Sequence, residues 1–492
     1  MGIGWTQRRS GGAAGCIARA VALGALFFAG PAAGQDAVPP ITKSDYGLDL
    51  FQGPVTTASR VVGLAGAYTA LAEWCEGEYS NAASPAVRAP YSVGKREFDL
   101  CLGFTNPGAF SGNDFENRGP GFRSLPTRFT NAATVNLGLQ LQYGPFGGTV
   151  NYDALHVGLE EKGKPTDISA VIERVTGSLA SSFANGQLLF GVGFRTVAFN
   201  LNQVVNGDET TLVSRTGASS QFGAIWMPKG LPFRLGGTLR SEIVVREIKG
   251  ITENDDGSQV AAGRILPSHL TVPWEIEVGG ALELERRPFN PPRVDIAALE
   301  DEVRARYDLK RLERATRYAD EIAKAPEVTR DVLRRQLELR ELRIQAEEDR
   351  AMGREFERLL AAEKAQAALW DRRQMLLLAS VLVTGPAHGS VGIADFVAQR
   401  RASSGENTVV SVRLGFETEV VRRWVTLRGG TYLEPTRFVD GAPREHFTLG
   451  TDIRLFRFNP LGLFGDDPWR IRLAGDLAPR YFNWAFALGK YH

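Results

Sequence analysis

The chain has 492 residues, 43% hydrophobic, 9% aromatic and 23% charged, a folded composition too long for one ordinary core. Its 57 basic and 56 acidic residues leave a formal charge of +1, which argues against a nucleic-acid surface and against an acidic disordered tail. Mean hydropathy is −0.15, and no apolar run approaches the ~18 residues of a membrane helix, so a bundle of such helices is excluded. A membrane β-barrel is not excluded, because alternating strands average to neutral hydropathy, and 54 glycines against four methionines favour turns and strands.

Residues 1–34 read as an export signal: Arg8 and Arg9, an apolar stretch from Ala20 to Ala29, and small residues Ala32-Ala33-Gly34 before Gln35. The chain is therefore expected to be exported, in the bacterial style, and the alternating strands described below make the bacterial outer membrane its expected location. The segment 35–92 follows as a hatch or plug. It contains LFQGPVTTASRVVGLAGAYTALAEWCEGEYSNAASPAVR at 50–87, rich in small residues that let backbones pack closely. Its Gly63, Gly66, Ala67, Tyr68, Thr69 and Ala70, then Tyr79, Asn81 and Ala83, resemble the N-terminal motif of the FadL/TodX-type outer-membrane transport superfamily, shared with barrels that serve type IX secretion. Ala82 and Ser84 depart from the proline and glycine usual there. The resemblance implies a 14-stranded barrel, an N-terminal hatch, and passage of hydrophobic molecules to a lateral gap in the wall. Arg60 is expected to pair with a lumen glutamate, since buried charges are usually paired. Cys75 and Cys101 are either a disulfide or two buried thiols.

From residue 93 the chain alternates. In VNLGLQLQY (135–143), Val135, Leu137, Leu139, Leu141 and Tyr143 share a face opposite Asn136, Gly138, Gln140 and Gln142. WEIEVGGALELE (274–285), VSVRLGFETEV (410–420) and WRIRLAGDL (469–477) repeat the pattern. Barrel strands 1–8 are expected within 93–286 and strands 9–14 within 374–492, with short turns at one end and long loops, including 200–217, 250–269 and 385–406, at the other. The fold class is therefore all-β, a transmembrane antiparallel barrel of about 14 strands.

Residues 287–373 interrupt it. Within 295–373 there are 19 acidic and 18 basic residues in 79, with good helix formers throughout and Pro326 as a break. Two helices forming a coiled-coil-like periplasmic hairpin are expected, with Leu299, Val303, Leu309 and Leu312 on one apolar stripe and Leu333, Leu337 and Ile344 on the other.

Enzyme readings find no support: His156, His269, His388, His446 and His492 are dispersed, and no metal-ligand spacing, nucleophile elbow or phosphate loop occurs. Neither cofactor nor metal is expected, and Glu253-Asn254-Asp255-Asp256 reads as a solvated turn. Two functions remain: passive uptake of hydrophobic small molecules, or a non-transporting barrel that anchors an envelope, secretion or motility assembly through a periplasmic protein partner of 295–373.

Overall fold

The computed structural model describes residues 38–88, 96–108, 113–119, 126–163, 166–205, 207–284, 289–290, 296–369, 375–422, 424–439, 441–457 and 468–490. The export signal expected at 1–34 lies outside them.

Fourteen antiparallel strands close into a transmembrane barrel. They are β1 (Arg96–Asn106), β2 (Thr127–Tyr143), β3 (Phe146–Glu161), β4 (Thr166–Phe183), β5 (Leu188–Val205), β6 (Asp208–Trp226) and β7 (Phe233–Arg240), then β8 (Glu275–Glu283), β9 (Met375–Thr384), β10 (Val409–Val421), β11 (Val425–Glu434), β12 (Arg444–Arg457), β13 (Pro468–Ala478) and β14 (Tyr481–Lys490). Closure comes from β1 pairing with β14, Cys101 opposite Gly489 through Asn106 opposite Trp484. The outward positions of β2 are Val135, Leu137, Leu139, Leu141 and Tyr143, 43–56% exposed; inward Asn136, Gln140 and Gln142 are buried. An apolar exterior and a polar interior are the inverse of a water-soluble barrel and suit lipid outside. Aromatic side chains Tyr143, Phe146, Phe183 and Trp226 crowd the end that carries the short turns.

Strands β3–β6 run past that band. In-register Tyr152, Val175, Thr196 and Ala218 mark the change. On the turn side of this row Val150, Leu179, Val192 and Phe222 point out and are exposed. Beyond it the same outward parity carries His156, Glu173, Asn200 and Thr216, while the inward parity becomes apolar: Leu155, Val157, Ile172 and Phe199, all buried. The strand phase is unchanged and only the solvent has switched, from lipid to water. The loop expected at 200–217 is therefore mostly strand, with a register shift at Leu201–Asn202 and with Leu201, Leu212 and Val213 buried on the cap side.

These apolar inner faces are covered by a cap. Gly47–Asp49 pairs parallel with His269–Val272 and with Ser390–Val391, and Ile243–Arg246 closes the other edge. Leu48, Leu270, Leu266, Phe396 and Phe115 complete one apolar cluster with the strands. The expected loops 250–269 and 385–406 thus form a small sheet and a short helix, Ile393–Val397, whose backbone groups are satisfied internally. Glu253–Asp256 is a turn, with Asp256 accepting the Ser258 N–H at 3.0 Å.

The insertion leaves after β8 and returns before β9, at the same end as the start of β1. It forms α1 (Ile296–Lys324) and α2 (Arg330–Leu369), separated at Pro326. At ~1.5 Å per residue the 40-residue α2 is about 60 Å long. Val303, Tyr307 and Leu337 are buried in the seam. Leu309 and Leu312 are not: they are 59% and 64% exposed. Their expected seam positions are taken by Tyr307, Arg311 and Arg314, which reach Glu355 (3.1 Å), Glu348 (3.4 Å) and Glu341 (3.0 Å) of α2.

Candidate functional site

From Phe51 to Val87 the chain runs inside the barrel. Part of its seat is apolar, with Val61, Val62, Leu64 and Leu71 clustered against inward Ala281, Leu376 and Leu378 of the wall, and the rest is built from ion pairs and close backbone contacts. Arg60, on the short helix Ser59–Gly63, donates from Nε and Nη2 to Glu417 of β10 at 3.0 and 2.8 Å, and from Nη1 to the Tyr68 hydroxyl at 2.8 Å and Glu73 at 3.2 Å. Tyr68 in turn donates to the Glu73 carbonyl at 3.1 Å. Arg428 of β11 bridges Glu417 and Asp452, and Arg472 of β13 pairs with Glu76 of the hatch. Arg234 of β7 takes the other oxygen of Glu73 at 2.9 Å. Arg60 and Glu417 are each about 5% exposed or less at the side chain, so these are desolvated pairs.

The remaining motif residues are positioned by the same logic. Gly66 has φ +76°, a conformation side chains resist, and lies beside Arg413. Gly63 meets Gly450 of β12, where a Cβ would stand 3.3 Å from the backbone. Asn81 Nδ2 donates to the carbonyls of Thr69, Ala224 and Gly237 at 3.0–3.2 Å, and its Oδ1 accepts from Ala83 N–H. One side chain thereby ties the hatch to itself and to β6 and β7. Sequence reasoning missed the wall half of these contacts. Gly223 and Gly236 leave the room that the hatch fills: a Cβ on Gly223 would lie 2.1 Å from Asn81 Oδ1, and one on Gly236 2.4 Å from Thr69 O. The signal was present, as glycine at an inward position of an otherwise well-formed strand.

Cys75 of the hatch and Cys101 of β1 are bonded through their sulfurs, with Cα atoms 6.3 Å apart. Asp99 beside them accepts the Cys75 N–H at 3.2 Å. Among the described residues this trio is the one group with metal-ligand spacing, and its sulfurs are engaged with each other.

Between hatch and wall lies a cavity of about 170 Å³. Its lining has two halves. Toward the cap stand Leu50, Phe51, Ile172, Val197 and Val272; toward the turn end stand Arg174, Arg195, Arg240 and Arg413 with Asp153, Glu275 and Glu277. The charges are matched: Arg240 and Arg195 face Glu275 at 3.1 and 3.6 Å, and Arg413 faces Glu277 at 3.5 Å. Gln52, Thr57 and Thr176 also line it and carry buried polar atoms with no protein partner, places for water or a ligand's polar group.

The wall beside this cavity is uneven in height, because β7 and β8 end together at Arg240 and Glu275 while β6 runs on. β5 and β6 share 18 registered pairs, but β6 and β7 share six, from Trp226–Leu235 to Gln221–Arg240. Past Arg240 the chain turns inward, Ser241 N–H still bonding Ser220 O at 3.0 Å, and joins the cap as Ile243–Arg246. The ladder therefore stops three residues short of the Ala218 level, at the outer margin of the apolar band.

Among the described residues, the histidines bond to neighbouring side chains. His446 is fully buried, its ring nitrogens 2.8 Å from Asp476 and 2.7 Å from Glu434, stacked on Tyr432 at 4.2 Å. His156 bonds Ser169 on the exposed outer face at 2.8 Å, and His269 bonds Ser268 at 2.9 Å.

No family model matches the chain, and no curated protein matches it either. Among solved structures it is similar to a Pseudomonas aeruginosa FadL homologue, with 13% identity and a TM-score of 0.48, covering 89% of this chain and 98% of that one. It is also similar to the CymD monoaromatic hydrocarbon channel (9%, TM-score 0.45, 89% and 97%) and to a deletion mutant of the TodX monoaromatic hydrocarbon channel (10%, TM-score 0.44, 91% and 99%). A FadL homologue and TodX are the group that the hatch motif resembles. At such identities and TM-scores nothing about chemistry carries over, and function must come from the geometry.

Proposed function

We propose that the protein is a passive outer-membrane channel for hydrophobic small molecules, long-chain fatty acid-like or aromatic. The observation that carries this is the cavity: its apolar half lies under the apolar cap, its polar half rests on the hatch, and it sits directly inside the point where the β6–β7 ladder ends. An amphipathic chamber at the step where β7 ends and β6 runs on suits a guest that leaves water and enters lipid. The hatch, held by Arg60, Asn81 and the Cys75–Cys101 bond, disfavours an open aqueous pore. The motif around Gly63–Asn81 points the same way.

The test is uptake of a labelled long-chain fatty acid and of a labelled alkylbenzene by cells that lack their own route and express this chain. Val272→Arg, which charges the apolar half, is expected to lower uptake at least tenfold while the barrel stays folded. Uptake equal to that of cells without the protein ends the proposal.

A second reading, an anchor for an envelope assembly through 295–373, is favoured by one observation: leucines exposed on both helices of the hairpin. Deleting 295–373 separates the two. A channel keeps its uptake; an anchor loses a co-purifying periplasmic partner with the barrel intact.

A further inference from the structure

The hairpin buries one face of each helix and leaves a second, equally regular one outside. On α1, Ala305, Leu309, Leu312, Thr316, Ala319 and Ala323 recur at alternating spacings of four and three, and all are exposed. On α2, Val332, Leu339, Leu342 and Ala346 fall on the same kind of repeat, broken only by Arg335; the first three are 60–63% exposed. A period near 3.5 is the coiled-coil seam, not the wider stripe of a helix lying on a globule. In each helix this stripe lies about half a turn from the buried one, so the two point to opposite sides of the hairpin.

The stripes are complementary in size. Across the existing seam Tyr307 is level with Glu355 and Arg311 with Glu348, while Arg314 lies between Glu341 and Glu348. Those levels carry to the outer faces. They put the bulky Leu312 of α1 against the small Ala346 of α2, and the bulky Leu342 and Leu339 of α2 against the small Thr316 and Ala319 of α1. At these three levels each large residue on one helix meets a small one on the other, as interdigitated layers require, while Leu309 and Val332 come level with Asp349 and Pro326. Glu313 and Arg343 flank these layers on one side and come opposite each other with opposite charge. The match cannot be made within one chain, because the two faces look away from each other. It is made by a neighbour displaced sideways at right angles to the helices, as copies in one membrane are. That displacement keeps α1 and α2 antiparallel and keeps their levels.

We infer that the hairpin is a self-association element, in which the outer face of α1 seats the outer face of α2 from a second copy of this chain. The contact is head-to-tail, so every copy still offers one free face of each kind. Such contacts build closed rings or open rows, not isolated two-fold dimers. Each contact is short, and confinement to one membrane raises the effective concentration that holds it. The inference does not depend on whether the barrel transports.

The test uses the full-length protein in its own outer membranes. Ala319→Cys and Leu339→Cys are introduced together and oxidised. The expected result is a ladder of two, three and more copies on denaturing gels without reductant. Neither single variant should form it, because residue 319 meets 339 of the next copy and never its own equivalent. Adding Leu342→Arg should reduce the ladder at least tenfold, while heat-modifiable migration shows the barrel still folded. Absence of a ladder in the double variant overturns the inference. So does a dimer formed as strongly by Leu339→Cys alone, a band whose added mass belongs to another protein, or a ladder indifferent to Leu342→Arg.

Discussion

Replacing Arg60 with methionine keeps the length of the side chain and removes its charge and its fork of donors. The structure says what is lost: two bonds to Glu417 at 3.0 and 2.8 Å, one to Tyr68 at 2.8 Å and one to Glu73 at 3.2 Å. It also says what survives, because Glu417 keeps Arg428 and Glu73 keeps Arg234. Removing one partner of a buried pair generally costs about 3–5 kcal/mol, and the surviving partners place this site at the lower end. At ~1.4 kcal/mol per decade, 3 kcal/mol raises the displaced population of the hatch by roughly two orders of magnitude. Hydrogen exchange of residues 59–72 reads this as a protection loss of about that factor, and planar-bilayer recordings as brief openings absent from the parent protein. Arg60→Lys should fall between, since an ammonium keeps the charge but not the two-pronged geometry. Adding Glu417→Gln to Arg60→Met should restore part of the protection, because the carboxylate no longer outnumbers its cations. Unchanged exchange and silent recordings in Arg60→Met would refute the idea that this pair seats the hatch.

Gly66→Leu combines a φ of +76° with contact to Arg413, and Gly223→Val drives a side chain into Asn81; both are expected to reduce the yield of heat-modifiable barrel, by more than half on gels of outer-membrane fractions. Peptide mapping without reductant should recover 75 linked to 101, and Cys101→Ser should raise exchange in the hatch near Cys75 while leaving α1 and α2 unaffected. The cap is expected to be pH-dependent. Burial and the nearby Asp395 carboxyl push Glu116 up to about 8, and burial raises Asp395 to about 6 despite Arg118 beside it. Both folded values lie above ordinary carboxylates, so the folded cap binds more protons than the opened one, and its stability is full in acid and falls as pH rises through about 6 to 8. Limited proteolysis of 387–400 should therefore be slower at pH 5.5 than at pH 8.5, with Glu116→Gln removing much of the difference; equal rates would refute it.

The barrel was legible because lipid outside and polar lumen inside impose one alternation on every strand, seen at once in Val135–Tyr143. The hatch motif was legible as small residues and one arginine, and Arg60 does pair with a lumen glutamate. Legibility failed wherever meaning depends on what lies opposite. At 200–217 the register shifts between Leu201 and Asn202; Leu212 and Val213 are both buried, and the apolar positions face the cap, so the segment does not look like a membrane strand. Leu309 and Leu312 satisfy a helical spacing, yet the seam went to Arg311 and Arg314, whose carboxylate partners Glu341, Glu348 and Asp349 sit 27–38 residues away in sequence. Gly223 and Gly236 marked a close approach to the inner wall, but not which backbone makes it.

The same chain thus meets three solvents, and each part of the structure answers to a different one. In the lipid band most apolar side chains are outside; the hatch buries Val61, Val62, Leu64 and Leu71 against inward Leu376 and Leu378, and non-directional burial leaves its register to be fixed by polar contacts. Buried ion pairs contribute little net stability but penalise every wrong register severely, because a shifted hatch would leave Arg60, Glu73 and Glu76 desolvated and unpaired. Beyond the band, where β3–β6 stand in water, apolar residues turn inward and the cap is held by ordinary burial. The cavity lies at the junction of these two regimes, with Ile172 and Val197 on one side and Arg174 and Arg195 on the other. A gate placed there opens by loosening polar contacts below without unfolding the apolar roof above, so hatch variants should change conductance and exchange at 51–87 while leaving protease resistance of 243–272 untouched. Loss of both together would mean that hatch and cap move as one body, and that the cavity between them is not where the channel is gated.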